Sequence, residues 1–213
     1  FVTTWYDQSG NGYDAAQASA ASQPKIVSAG STILENGKAT LEFDGVNDGL
    51  TTPANDVIHS ADWTALITAN SSPSTTAIWT TSGVNSTGQA RFLFDLSGVG
   101  NVSVGYNGFN SGGALQTYTK NTQQLIEYFA TNHTTGQNAS VTGYVNGAGG
   151  AVYNSTSVLT ASSNEVMGIG YQYFSNAQYM SMKCQEMVFY NTDQSSNRTG
   201  IETNINSHYN IYP

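Results

Sequence analysis

Glu42 and Asp44 are two carboxylates at alternate positions of one strand-like run, Thr40-Leu41-Glu42-Phe43. Alternate residues of a strand share a face, so both acids would point the same way. Two carboxyl groups about 5–5.5 Å apart suit retaining glycoside hydrolysis, one as nucleophile and one as acid. Asp44, however, is followed by Gly45, and Asp-Gly is a tight-turn pair. The next acid, Asp48, falls beyond that turn. A structural turn is therefore the preferred reading of these acids over a catalytic pair.

Calcium is the ion the remaining acids would suit, because it takes six to eight oxygens from carboxylates, amides and backbone. Asp7, Asp14, Asp44 and Asp48 are the candidate calcium ligands, with Asp95 a further oxygen source. No twelve-residue calcium loop occurs, and no cofactor is required by any motif. His59, His133 and His208 are scattered without the spacing of a zinc site. Glu186, on an apolar strand, is expected to tie strands or loops together through hydrogen bonds. There is no Gly-x-Ser-x-Gly elbow and no phosphate loop.

Sugar binding would use aromatic faces flanked by polar groups. Trp79, Arg91, Tyr106, Tyr171, Tyr173 and Tyr179 are the candidate ligand-binding residues, with Phe109 and Tyr118 as further aromatics near strand ends or polar loops. Arg91, one of two arginines, alternates out of the Phe92/Phe94 face. Taken singly, each aromatic is better explained by a place in the core than as a sugar platform.

These residues need strands to hold them. Strand-like runs recur at roughly 8–12-residue spacing, which reads as a sandwich or barrel. They cover residues 40–43, 64–69, 76–80, 90–96, 102–106, 125–130, 141–145, 166–173 and 180–190. Asn146-Gly147 reads as a type I′ hairpin turn, which needs positive φ at both positions. The Gly/Ser-rich stretches 71–76, 107–114 and 147–150 read as loops. One helix is expected at the C-terminus, capped by Asp193 or Ser195, with Ile201, Ile205 and Tyr209 on one face. Met180, Met182 and Cys184 alternate, so the lone Cys184 is expected to be a buried, inert thiol.

The bulk numbers agree. Ser, Thr, Asn and Gly make up 92 of 213 residues, and only 9% of residues are charged. Thirteen Tyr, eight Phe and three Trp argue for a folded core rather than disorder. The net charge is −8, with four Lys and two Arg, so no basic stripe can neutralise nucleic-acid phosphates. No apolar run approaches the ~20 residues needed to span a bilayer as a helix. Seven Asn-x-Ser/Thr sequons occur, a number that a chain this rich in Asn, Ser and Thr reaches by chance.

Several segments carry a family resemblance in order. Trp5-Tyr6-Asp7-Gln8-Ser9-Gly10-Asn11-Gly12 resembles a segment of concanavalin A-like (laminin G-like) domains. Gln23-Pro24, the turn from Leu41 to Asp48, the hairpin Tyr144-Val145-Asn146-Gly147, the strand Gln185 to Tyr190 and the helix ending Ser207-His208-Tyr209 resemble later parts of the same domains. Such domains occur in bacterial surface proteins, phage structural proteins and α-L-arabinofuranosidase B catalytic domains. The resemblance implies an all-β, concanavalin A-like jelly-roll sandwich of two antiparallel sheets with one short C-terminal helix. It implies a single domain over 1–213, cut from a longer chain, since more sequence precedes the Trp-Tyr-Asp segment in that family. The arabinofuranosidase nucleophile and acid segments have no recognisable counterpart here.

Together these readings predict a non-catalytic carbohydrate-binding or adhesion module on an extracellular or virion surface. The expected partners are a surface glycan or polysaccharide, virion or cell-surface proteins, and further copies of itself. Nucleic acid and membrane insertion are excluded. A purely structural module and an arabinofuranosidase-type hydrolase are the alternatives.

Overall fold

The computed structural model describes residues 1–54, 62–71, 76–82, 90–94, 101–106, 113–132, 138–154, 166–171 and 179–213. For Trp63, 76–82, 90–94, 101, 103–106, 113 and 114 it is the backbone pairing that is described.

The chain opens with short strands: β1 (Thr4–Trp5), β2 (Ala15–Ala16), β3 (Val27–Ser28), β4 (Ser31–Thr32), β5 (Leu34–Glu35), β6 (Lys38–Ala39), β7 (Leu41–Asp44) and β8 (Leu50–Thr51). Longer strands follow: β9 (Trp63–Ser71), β10 (Thr76–Ser82), β11 (Ala90–Phe94), β12 (Asn101–Tyr106), β13 (Gly113–Thr117), β14 (Gln124–Thr131), β15 (Ser140–Val145) and β16 (Ala148–Asn154). β17 (Val166–Ile169) and β18 (Ser181–Tyr190) precede a single helix, α1 (Arg198–Tyr209).

The strands form two antiparallel sheets facing each other. One runs β1-β2-β8-β17-β10-β11-β12-β13, the other β16-β15-β14-β9-β18-β7. Two small hairpins, β3–β4 and β5–β6, stand apart. The architecture is the expected all-β sandwich. Its core lies between the sheets, with Leu50, Val102, Leu115 and Ile169 from one and Phe43, Ile67, Ile126, Tyr128 and Val141 from the other. Burying each large side chain of this kind stabilises the fold by about 1.5–3 kcal/mol. Met180, Met182 and Cys184 are all buried, as their alternation predicts, and burial pushes the Cys184 thiol up.

The outer face of the six-stranded sheet is covered by α1. Ile205, Ile201 and Tyr209 pack on Leu66 and Leu125, with Val188 and Tyr190 alongside. Every residue of β14 from Gln124 to Ala130 is therefore buried, because both faces of that strand are covered. The helix begins otherwise than expected. Its N-cap is Asn197, whose side chain makes no capping bond. Asp193 instead lies ahead of the short 3-10 turn Ser195–Asn197, whose N-cap is Gln194, and accepts from the Ser195 backbone N–H at 2.9 Å and its hydroxyl at 2.8 Å.

Asn146 and Gly147 have φ of 51° and 73°, the type I′ pair expected. The stretch 147–150 is not a loop, however: β16 begins at Ala148 and runs through Gly149 and Gly150. Likewise 113–114 open β13, and Ser71 and Thr76 belong to β9 and β10. Glycine-rich composition hid these strands because partner strands, not local propensity, hold them extended.

Candidate ligand-binding site

The acidic residues occupy two turns. Asp7 closes the turn between β1 and β2. Its Oδ1 accepts from the Ser9 N–H at 2.8 Å, and its Oδ2 accepts from the Ser9 hydroxyl at 2.8 Å and the Tyr13 N–H at 3.1 Å. Asp14 returns the bond, accepting from the Asp7 N–H at 2.8 Å. The Ser9 bonds lead in holding the Asp7 carboxyl below the usual carboxylate range.

Asp44 ends β7, and the chain then crosses to β8 in the other sheet. The N–H groups of Val46 and Asn47 donate to Asp44 Oδ1 at 2.8 and 3.2 Å, while Asp48 accepts from the Asp44 N–H at 3.0 Å. Burial works to raise Asp44, but these bonds and the nearby Lys25 charge outweigh it and hold it low. Burial dominates at Asp48 and raises it. Each pair spends its oxygens on backbone N–H groups, the chemistry of a turn. Among the described residues no three His, Cys, Asp or Glu side chains come together as a metal site. Glu42 does share the outward face of β7 with Asp44, while Leu41 and Phe43 are buried.

Of the six candidate ligand-binding residues, the structure brings Tyr171 and Tyr179 together. Their backbones form a bridge and their rings stack at 5.9 Å with an interplanar angle of 17°. Tyr171 is buried, its hydroxyl 2.5 Å from Thr51 Oγ1. A Cβ on Gly49 would lie 2.3 Å from the Tyr171 ring, so only glycine admits the ring there. Tyr171 is thus a wall, and Tyr179, half-buried, is its outer member. Trp79 pairs with the buried Ile169 and with Phe92; Arg91 pairs with Thr80 and Gly105, one row along; Tyr106 pairs with Ala90. Tyr173, Phe109, Asp95, His59 and His133 lie outside the described residues. Tyr118 is buried and His208 packs edge-on against Tyr209. Glu186 is half-buried beside Tyr209; burial first, then the Glu186 charge and hydrogen bond, push the Tyr209 hydroxyl up to about 12.

Sequence reasoning passed over two places. The first is an open groove of about 630 Å³ between the edge strands β1 and β7. Trp5 and Tyr6 line it, with Gln8 and Gln185. Tyr6 is 67% exposed, whereas Trp5 is half-buried against the core. Gln185 is the extra residue of a bulge: β18 pairs Cys184 with Ala69 and then Glu186 with Thr68. Its Nε2 donates to the carbonyls of Glu35, Lys38 and Ala39 at 3.0, 3.2 and 3.4 Å. Bulges re-aim side chains in this way next to sites. The signal in the sequence is a Trp-Tyr pair directly before an Asp-x-Ser-Gly turn.

The second is a buried charged cluster beneath α1. Glu127 is fully buried on the outer face of β14. Burial, then the hydrogen bond and charge of Glu202, push its carboxyl up to about 9. Arg198 pairs with Glu202, sits 4.1 Å above the Tyr144 ring and donates to the Gly147 carbonyl at 3.4 Å. This cluster holds the helix to the sheet.

No protein-family model and no curated protein matches the chain. In fold it is similar to Trypanosoma rangeli sialidase in complex with sialic acid, with a TM-score of 0.63 at 19% identity, over 96% of this chain and 32% of that one. It is also similar to the binding domain of Paraclostridial Mosquitocidal Protein 1, with a TM-score of 0.62 at 11% identity, over 95% of this chain and 49% of that one. The sialidase bound to the inhibitor DANA gives 0.57 at 16% identity, over 88% and 28%. The chain thus spans about a third of the sialidases and half of the mosquitocidal binding domain. At these identities the likeness establishes a shared β-sandwich fold.

Proposed function

We propose that this chain is a concanavalin A-like, non-catalytic carbohydrate-binding or adhesion module, displayed on an extracellular or virion surface. The observation that carries the reading is the groove, where the exposed Tyr6 stands beside the exposed Gln8 amide on a rigid sandwich. Aromatic faces take the C–H face of a sugar, and fixed amides take its hydroxyls. The similar fold of a sialidase bound to sialic acid and of the mosquitocidal protein's binding domain supports it. The non-catalytic part is supported by the acids: Asp44, which the hydrolase reading needs beside Glu42, is spent on three backbone N–H groups. A glycan array of the purified chain, with and without chelator, tests the proposal. Saccharide binding without turnover is the expected result. Loss of binding on chelation would add calcium to the site. Hydrolysis of a nitrophenyl arabinoside that disappears in Glu42→Gln would overturn the non-catalytic reading, and silence across the array would overturn the binding reading.

A further inference from the structure

We propose that the groove between β1 and β7 is the saccharide site and that it takes an uncharged sugar, not an acidic one. The inference rests on the carbohydrate-binding reading above and names the place and the ligand class. Three observations converge on it. The first is exposure. Tyr6 leaves 67% of its surface in water while Tyr128, of the same type, is fully buried. A large ring held open beside a concavity is the platform a pyranose face needs.

The second is rigidity. Tyr6 directly precedes Asp7, whose two oxygens accept three bonds from Ser9 and Tyr13, and Asp14 holds the Asp7 N–H. Behind it, the Thr3 carbonyl accepts from the Gln17 N–H at 2.9 Å. The aromatic pair is therefore fixed from both sides, and a preorganised platform loses less freedom when it binds. Across the groove, the bulge sets Gln185 by three hydrogen bonds. Asp7 and Asp14 are thus positioning residues.

The third is charge. Among the described residues no Lys, Arg, Asp or Glu side chain lines the groove; the polar side chains it offers are threonine hydroxyls, the Tyr6 hydroxyl and the Gln8 amide, since the Gln185 Nε2 is spent on three backbone carbonyls and its Oε1 is buried. A carboxylated sugar entering it would give up hydration with no cationic side chain among the described lining residues to meet it. The chain's net charge of −8 adds repulsion at longer range. Neutral hydroxyls meet the Gln8 amide and the threonines without such a cost. The site therefore differs in ligand charge from the sialic acid held by the similar sialidase.

The test is titration of the full chain with a panel of neutral mono- and oligosaccharides and with sialic acid, read by calorimetry and by Trp fluorescence. It is repeated with Tyr6→Ala, Tyr6→Phe and Tyr179→Ala. The expected result is binding of a neutral sugar, weakened about tenfold by Tyr6→Ala as a lost stacking contact implies. Tyr6→Phe, which keeps the ring, restores most of the affinity that Tyr6→Ala loses, and Tyr179→Ala, outside the groove lining, leaves binding within about twofold. Unchanged melting temperature in Tyr6→Ala shows that the fold is intact. Binding that survives Tyr6→Ala but fails in Tyr179→Ala would overturn the groove and leave the carbohydrate-binding reading standing. Binding of sialic acid alone would overturn the uncharged-ligand assignment. No binding of any saccharide would overturn both.

Discussion

The two flanks of the six-stranded sheet are finished in opposite ways. On its outer face, α1 closes down, and Leu66, Leu125, Ile205 and Glu127 are all buried there. At its β7 edge the sandwich stays open, and Tyr6 stands in water above Leu41 and Cys184. Tyrosines occur at both places, yet those under the helix serve packing and the one at the edge is left available. The covered flank puts its energy into stability. The open flank forgoes burial, and the Asp7 hydrogen bonds fix the turn that follows Tyr6.

The helix contact should show the largest effect. Ile205→Ala removes a 5% exposed side chain from between Leu66 and Leu125. It should cost about 2–5 kcal/mol in urea unfolding. A loss under half that would mean that α1 closes the sheet only loosely.

Glu127 comes next, through pH. Its folded pKa is raised to about 9 by burial and Glu202, above an ordinary value of 4.5. The folded state therefore holds a proton that the unfolded state releases between those values. The acid's contribution is full below pH 4.5 and drains away as pH rises toward 9. Arg198 opposes the rise, so the slope reflects the cluster of Glu127, Glu202, Arg198 and Tyr212. Glu127→Gln keeps the shape and removes the titration. It should flatten this part of the stability profile and gain on the order of a few kcal/mol at pH 9. A parallel profile in the variant would place the raised acid elsewhere.

The smallest effect belongs to the open flank. Asp7→Ala removes the acceptor of the β1–β2 turn, exposed on one side, and should cost about 1–2 kcal/mol. Loss of saccharide affinity beyond that explained by unfolding would tie the turn to the groove; an unchanged affinity would separate them.

Much of this was legible in the residues. Alternation in Met180 to Tyr190 and Val141 to Val145, and the Asn146-Gly147 turn, each point to their observed element through local chemistry. The Asp7 and Asp44 turns were legible for the same reason, since Asx side chains bond N–H groups two or three residues on. The strands β13 and β16 were not, because Gly113, Gly149 and Gly150 carry no strand preference of their own. The groove was missed because its walls come from residues about 180 positions apart, Trp5 and Gln185. The bulge that sets Gln185 exists only once β18 pairs with β9.

By itself, then, the sequence determined an all-β chain with tight Asx and Asn-Gly turns and a terminal helix with an apolar stripe. These are contacts within a few residues, where side-chain type and spacing act directly. Tertiary structure alone decided that Tyr128 is core and Tyr6 surface, and that Glu127 is a buried neutral acid. It also decided that β1 and β7 leave a groove between them. The reason is physical: burial and pKa depend on what covers a residue. For Glu127 that cover is a helix more than seventy positions away.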